Sequence, residues 1–221
     1  PYQPIERDLR ITRRCLEVMA RCRHPVGIVT KNHLVTRDVD LLSDLARDGA
    51  AGVAISLTTL DNDLASKMEP RASAPRARLA AMKALADAGV PVCVMTAPIV
   101  PGLNDREIPA LLAAAREHGA TSAGYVLLRL PHQVKDLFLD WLSRHFPDRA
   151  ARVESLIRQS RDGALYDPEF FSRQRGRGPI AEAVAAVWHS FAERHSLRGG
   201  RFGLSGAKFR RPSGAQMELF G

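Results

Sequence analysis

At 221 residues the chain is long enough to bury one substantial core with an appended tail, and its 45% hydrophobic and 25% charged residues are the mix of an ordinary globular protein. No apolar run reaches the roughly 18 residues a membrane-spanning helix needs, which excludes that class. The net charge of +8 fits a nucleic-acid partner or a solvated arginine-rich surface.

Three cysteines, Cys15, Cys22 and Cys93, are too few and too odd in number for a disulfide framework, so the cytoplasm is the expected compartment. The chain opens on Pro1 without a leader-like stretch, and further residues are expected upstream. Leu9, Thr12, Leu16 and Met19 recur at three- and four-residue steps and predict a helix from about Ile5 to Arg21. Val26–Thr30 is short, apolar and β-branched, as a strand buried on both faces would be. The next helix takes Thr36 as N-cap, Val39, Leu42 and Leu45 as its buried stripe and Gly49 as its stop.

A second unit follows: the strand Gly52–Ser56, a long connection containing Met68-Glu-Pro-Arg71, and a helix with Leu79, Met82 and Leu85 that stops at Gly89. The third pairs the strand Val92–Thr96 with a helix carrying Pro109 in its first turn and ending near His118-Gly119, across the turn-rich Ala97–Asn104. In the fourth, Ala123–Leu128 leads through Pro131 to a helix containing Phe138, Trp141 and Leu142. Strict alternation of strand and helix predicts an α/β fold, either a doubly wound sheet or a (β/α) barrel, and four strands are too few to close one.

In both architectures chemistry gathers where the strands end, here at Thr30-Lys-Asn32, Ser56-Leu-Thr58, Thr96-Ala-Pro98 and Arg129-Leu-Pro131. No glycine-rich phosphate loop follows any strand, which counts against a nucleoside triphosphate or dinucleotide site. Lys31 either presents its ammonium to a cavity, where it would grip a carboxylate, or turns outward as a surface charge. Ser56 either offers a hydroxyl to the same ligand or caps the following segment. A lysine in this position also suits a Schiff-base nucleophile of an aldolase-like barrel. Arg129, with His132 and Lys135 close behind, either binds an anionic part of a substrate or pairs with an acid in the wall of the fold. The cysteine spacing matches neither a zinc site nor a cluster loop, and the seven histidines are scattered.

Six segments in order resemble a bacterial radical S-adenosylmethionine (SAM) family related to spore photoproduct lyase. They are Pro1-Tyr-Gln-Pro-Ile-Glu6, Thr30-Lys-Asn32, Ser56-Leu-Thr-Thr59, Met68-Glu-Pro-Arg-Ala72, Ala97–Asn104 and Gly124–Pro131. The resemblance implies a partial (β/α)6 barrel, truncated here to about four visible strands, whose cluster loop of three cysteines lies upstream of Pro1. By that resemblance Glu6 lies in the segment that contacts the SAM amine, and Lys31 and Ser56 reach the SAM carboxylate and ribose. Asn32 and Thr96 are counted with them as cofactor-binding residues, and Ala97, Pro98 and Ile99 line the adenine. It further implies a [4Fe-4S] cluster whose ligands are absent from these residues, an electron donor such as flavodoxin or ferredoxin, and reductive cleavage of SAM, with a lyase-like DNA repair reaction as the expected use.

The expected divisions are 1–145 for the barrel part, 146–197 for a helical extension and 198–221 for a basic flexible tail. From Arg194 to Arg211 all six charged residues are basic, which suits either an arm near DNA or a solvated tail. The tail ends in Gln216-Met-Glu-Leu-Phe220, which matches the pattern by which bacterial proteins dock on the DNA polymerase sliding clamp: Leu219 and Phe220 fill a groove while Gln216 bonds at its rim. The alternatives are a terminal clasp folded back on the barrel and, for the whole chain, a non-catalytic module held to DNA and clamp.

Overall fold

The computed structural model describes residues 1–170, 172–199 and 202–211. In chain order the helices and strands are α1 (Glu6–Leu9), α2 (Ile11–Cys22), β1 (Val26–Thr30), α3 (Val39–Ala46), β2 (Ala51–Ser56), α4 (Asn62–Met68), α5 (Pro75–Asp87), β3 (Val92–Ile99), α6 (Ile108–Glu117), β4 (Ser122–Leu127), α7 (Val134–His145), α8 (Pro147–Gln159), α9 (Pro179–Arg194) and β5 (Arg198–Gly199). The strands pair in parallel in sequence order, so every crossover runs to the next strand, as in a barrel wall. Ile28, Val53, Ile55 and Val94 pack beneath Leu42, Leu45, Met82, Leu85 and Leu111 of the crossover helices. Each such side chain taken from water contributes about 2 kcal/mol.

The N-terminal segment forms two helices where one is expected. Arg10 adopts a left-handed conformation at φ 49°, and its N–H closes α1 onto the Glu6 carbonyl. The Glu6 carboxylate then accepts from the Thr12 backbone N–H at 2.9 Å, in the first turn of α2. Leu9 is consequently exposed, while Leu16 and Met19 keep the expected inward face.

Strand β1 is bare on one face, contrary to the both-faces expectation: Val29 is 60% exposed because the helices cover only the other side and β1 pairs with β2 alone. Thr36 does not cap α3. It lies inside a 3-10 turn, His33–Asp38, which Asn32 caps by accepting from the Leu34 N–H, and α3 starts after that turn. The long second connection contains the extra helix α4, capped by Asp61.

The expected division at residue 145 runs between two helices that pack on each other. Helices α7 and α8, on either side of it, share a cluster of Leu142, Val153 and Ile157 with Val100 and Leu130. Helix α9 returns to the main core, where Trp188 lies against Tyr125 and donates to Thr96 Oγ1 at 2.9 Å.

The basic segment from 198 is docked as far as it is described. Arg198–Gly199 adds a short strand beside β4, and residues 202–211 cross the N-terminal ends of β1 and β2. Ser205 N–H donates to Gly49 O and Arg210 N–H to Cys22 O, both at 2.9 Å. Gly27 and Gly52, paired in register, leave room for Leu204 and Phe202 on the bare face. The apolar Phe202, Leu204 and Phe209 between the arginines explain why this stretch seats rather than floats. Its Arg201 lies outside the described residues.

A Cβ at Gly52 would sit 2.4 Å from the Phe202 ring. We expect Gly52→Ala to displace the 202–211 segment, lower stability by about 1–3 kcal/mol in urea unfolding and speed tryptic cleavage at Lys208 and Arg210. Unchanged stability and cleavage would contradict this docking.

Candidate functional site

Lys31 directly follows β1 and turns in over the strand ends. Its ammonium lies 3.0 Å from Ser56 Oγ, 3.2 Å from Thr58 Oγ1, 3.0 Å from the Ala97 carbonyl oxygen and 2.5 Å from Glu69 Oε1. Three strand ends therefore converge on one cation. Ser56 Oγ donates to the Ala97 carbonyl at 2.9 Å, and the single Thr58 hydroxyl proton serves either Glu69 Oε1 at 2.9 Å or that carbonyl at 3.0 Å.

Glu69 is delivered by α4, which ends one residue before it, and its second oxygen accepts from Arg78 Nη2 at 2.5 Å. Arg78, only 2% exposed in the first turn of α5, also donates to Ser56 O at 3.0 Å and Ser73 O at 2.7 Å. Asn104, fully buried, donates to Thr58 O and Pro98 O and accepts from the Val100 N–H, which fixes the loops after β2 and β3 to each other.

Burial alone would raise the Glu69 pKa; the charges of Lys31 and Arg78 and their hydrogen bonds outweigh it and hold the carboxyl below its ordinary 4.5. Burial lowers the Lys31 pKa, with the Glu69 charge and hydrogen bond opposing the shift. A lysine anchored on a carboxylate and three further oxygens is a positioned cation. A Schiff-base nucleophile would need that amine released from these partners.

A cavity of about 290 Å³ opens beside this cluster, lined by Tyr2, Lys31, Asn32, Glu69 and Arg71 among others. A larger open cleft of about 1070 Å³ runs along β4 past Met95, Gly124, Tyr125 and Arg175. Met95 and Gly124 stand in the same register row as Ser56, so the cleft continues the bare face of the sheet away from Lys31. The smaller cavity is the candidate site because the converging polar groups are beside it.

Of the residues expected at the site, Lys31, Ser56 and Ala97 meet, the last through its carbonyl. Asn32 lines the cavity, but its side chain is spent on Tyr2 O and the Leu34 N–H. Pro98 supplies a carbonyl to Asn104 and Ile99 is buried against β4, so both shape the wall. Two expected residues lie away from this cluster. Glu6 is engaged by the Thr12 N–H and Arg37 and does not line the cavity. Thr96 faces the helix layer, bonded to Gly124 O and Trp188.

Arg129, His132 and Lys135 stand at the end of β4, and no hydrogen bond or ion pair among the described residues joins them to Lys31. Gln216, Leu219 and Phe220 lie outside the described residues. Sequence reasoning missed Glu69, Arg78 and Asn104 as site residues. Arg78 carried a signal, because it stands four and seven residues before Met82 and Leu85 on the buried stripe of α5.

The cluster at Lys31 fits a ligand with a carboxylate and neighbouring hydroxyl or amino groups, as SAM has. An iron-sulfur cluster does not fit. Cys15 is exposed on α2, Cys22 ends that helix and Cys93 is buried in β3 with its thiol pKa raised by desolvation. Among the described residues no group of three or more potential ligands is placed to hold a metal.

Replacing the Glu69 carboxylate by a neutral amide leaves Lys31 and Arg78 facing each other with one acceptor oxygen and no counter-charge between them. Glu69→Gln is expected to cost about 3–5 kcal/mol in denaturant unfolding at neutral pH. Because the folded Glu69 pKa is depressed, the wild type carries this stability above pH 4.5 and loses it as pH falls through the folded value. The variant should lack that part of the acid limb; an identical pH profile would contradict the network.

The profile of the radical SAM superfamily matches residues 2–115. An uncharacterized protein of Mycobacterium tuberculosis is 32% identical over 187 residues, covering 84% of this chain and 54% of that protein. Another, from Methanocaldococcus jannaschii, is 31% identical over 106 residues, covering 48% and 39%. A spore photoproduct lyase mutant superposes with a TM-score of 0.58 at 16% identity, covering 84% of this chain and 54% of that one. A second mutant, with bound AdoMet and dinucleoside spore photoproduct, superposes with a TM-score of 0.56 at 16% identity, covering 90% and 58%. The chain thus spans about half the length of the Mycobacterium tuberculosis protein and of the lyase chains, and the lyase chains share its fold. With the profile covering more than half of its residues, the chain belongs to the radical SAM superfamily.

Proposed function

We propose that the whole protein is a radical SAM enzyme and that the Lys31 cluster is where it holds SAM. The observation that carries this reading is the convergence of three strand ends on one inward-facing ammonium, with a serine hydroxyl and a backbone carbonyl beside it. Lys31 takes the carboxylate of the methionyl moiety, sharing its charge between that group and Glu69. Ser56 and Thr58 offer hydroxyls to the amine or ribose, and the Ala97 carbonyl accepts an amino proton. Glu69 and Arg78 touch no ligand in this reading; they hold Lys31 in place.

Bound SAM supplies a 5′-deoxyadenosyl group that, on reductive cleavage, becomes a hydrogen-abstracting radical. The [4Fe-4S] cluster has its ligands outside these residues, and its electrons come from a donor such as flavodoxin or ferredoxin. A lyase-like DNA repair reaction is the substrate reading. It is supported by the resemblance to spore photoproduct lyase and the basic net charge of the chain. Docking on a sliding clamp through Gln216, Leu219 and Phe220 would bring the enzyme to DNA and rests on the sequence pattern alone.

The test is the whole protein, reconstituted anaerobically with iron and sulfide and treated with dithionite. The proposal expects 5′-deoxyadenosine from SAM; a cluster-loaded, folded protein that yields none would end it. Lys31→Met should weaken SAM binding roughly tenfold or more, the loss of a charge-assisted hydrogen bond, and Ser56→Ala by a smaller factor. Equilibrium dialysis reads both, and wild-type affinity in Lys31→Met would place SAM elsewhere. Leu219→Ala with Phe220→Ala should abolish clamp binding in a pull-down while leaving SAM affinity unchanged; retained clamp binding rules the motif out.

A further inference from the structure

Four buried side-chain polar atoms among the described residues lack a hydrogen-bond partner, and all four are guanidinium nitrogens of three arginines: Arg129 Nε, Arg161 Nε and Nη1, and Arg173 Nε. Unpaired buried donors are rare because each costs the desolvation of a polar group, and on a cation the cost is larger. Four together call for an acceptor.

Arg129 and Arg161 lie close enough for their charges to act on each other, and the backbone of Arg173 meets Arg161. Arg129 is two residues beyond β4. Arg161, 3% exposed in the turn after α8, donates through Nη2 to Leu128 O at 2.6 Å and to Arg173 O at 3.2 Å. Those bonds fix its position beside Arg129 and Arg173 and leave its other two nitrogens free. Arg173 stacks its guanidinium 4.6 Å above the Phe170 ring, which holds the fork still without neutralising it.

The local acids do not compensate. Asp167 draws on Arg161 only at a distance; its own oxygens accept from the Glu169 N–H and the Ser172 hydroxyl, and Arg177 lies 4.0 Å away. No ion pair among the described residues includes Arg129, Arg161 or Arg173. Burial foremost, with the Arg129 charge, pushes the Arg161 pKa down, while Asp167 and Tyr166 oppose the shift. This is the signature of a cation short of a counter-charge.

We propose that Arg129, Arg161 and Arg173 form an oxyanion site, distinct from the Lys31 cluster, that takes a phosphate group of the substrate at the C-terminal end of β4. Guanidinium forks match phosphate oxygens in number and planarity, and one oxyanion offers several acceptors to donors that otherwise have none. Arg129 leaves the same end of the sheet as Lys31 and Ala97, so a phosphate held here fixes one end of a molecule that reaches toward the SAM cavity. Identifying the phosphate as a nucleic-acid phosphodiester rests on the reading under Proposed function; the oxyanion site itself does not.

The experiment is thermal unfolding of the whole protein with inorganic phosphate against sodium chloride of equal ionic strength. It is paired with anisotropy of a labelled single-stranded oligothymidylate and a version of that oligomer with neutral methylphosphonate linkages. Phosphate is expected to raise the wild-type Tm, and the neutral oligomer to bind at least tenfold more weakly. Arg161→Met should lose the phosphate-dependent rise in Tm, read as the difference between phosphate and chloride. Arg129→Gln reads the same loss if Arg161→Met does not fold.

A phosphate-dependent rise of wild-type size in the folded variants, or none in the wild type, overturns the site. A phosphate response with equal binding of the neutral oligomer keeps the oxyanion site and overturns the phosphodiester as its source. SAM dialysis on the same samples keeps the two readings apart: lost SAM binding with an intact phosphate response removes the radical SAM reading and leaves the oxyanion site standing.

Discussion

The carboxylate of Glu69 is the constraint on which the strand-end site depends. Lys31 turns inward only because an acid meets it, and Glu69 stays ionised in a largely buried position only because Arg78 and Lys31 each bond one of its oxygens. Two cations against one anion leave a net positive charge at the strand ends, so the cluster is complete as a structure and still attracts an anionic ligand. Arg78 extends the constraint into the fold, since its other nitrogens hold the carbonyls of Ser56 and Ser73. The same ion network that fixes β2 to the loop before α5 therefore aims the lysine.

The sheet around this site is open. Its bare face presents Gly27, Val29, Met95 and Gly124 where a closed barrel would have side chains from facing strands. Residues 202–211 cover the end of that face opposite the chemistry, so their basic side chains are carried at the floor of the fold. The ion network at Lys31 and the arginines with unpaired nitrogens beyond β4 both stand at the upper rim, so packing gathers at one end of the sheet and charge at the other.

The strands were legible because parallel strands are continuous apolar β-branched runs, and Val26–Thr30 and Val92–Thr96 read as such without tertiary information. Lys31 and Ser56 were legible by position, as polar residues where those runs stop. Glu6 misled because a carboxylate in a suggestive segment looks the same whether it binds a ligand or caps a helix; only the left-handed turn at Arg10 distinguishes them. Thr96 misled through parity, since one step along a strand reverses the face. Glu69 and Arg78 were hidden for a different reason: their roles are a pairing between elements, which no local pattern records. Arg161 and Arg173 likewise come from a turn and a loop with no periodicity to mark them.

The central claim is that one ligand bridges the ends of β1, β2 and β3. Hydrogen exchange of the whole anaerobic protein with and without SAM measures this most directly, because backbone protection reports where a ligand sits. The account predicts slowed exchange confined to peptides covering residues 30–32, 56–59, 69–73 and 97–100, with 202–211 unchanged. Protection elsewhere, or none at saturating SAM, would contradict it.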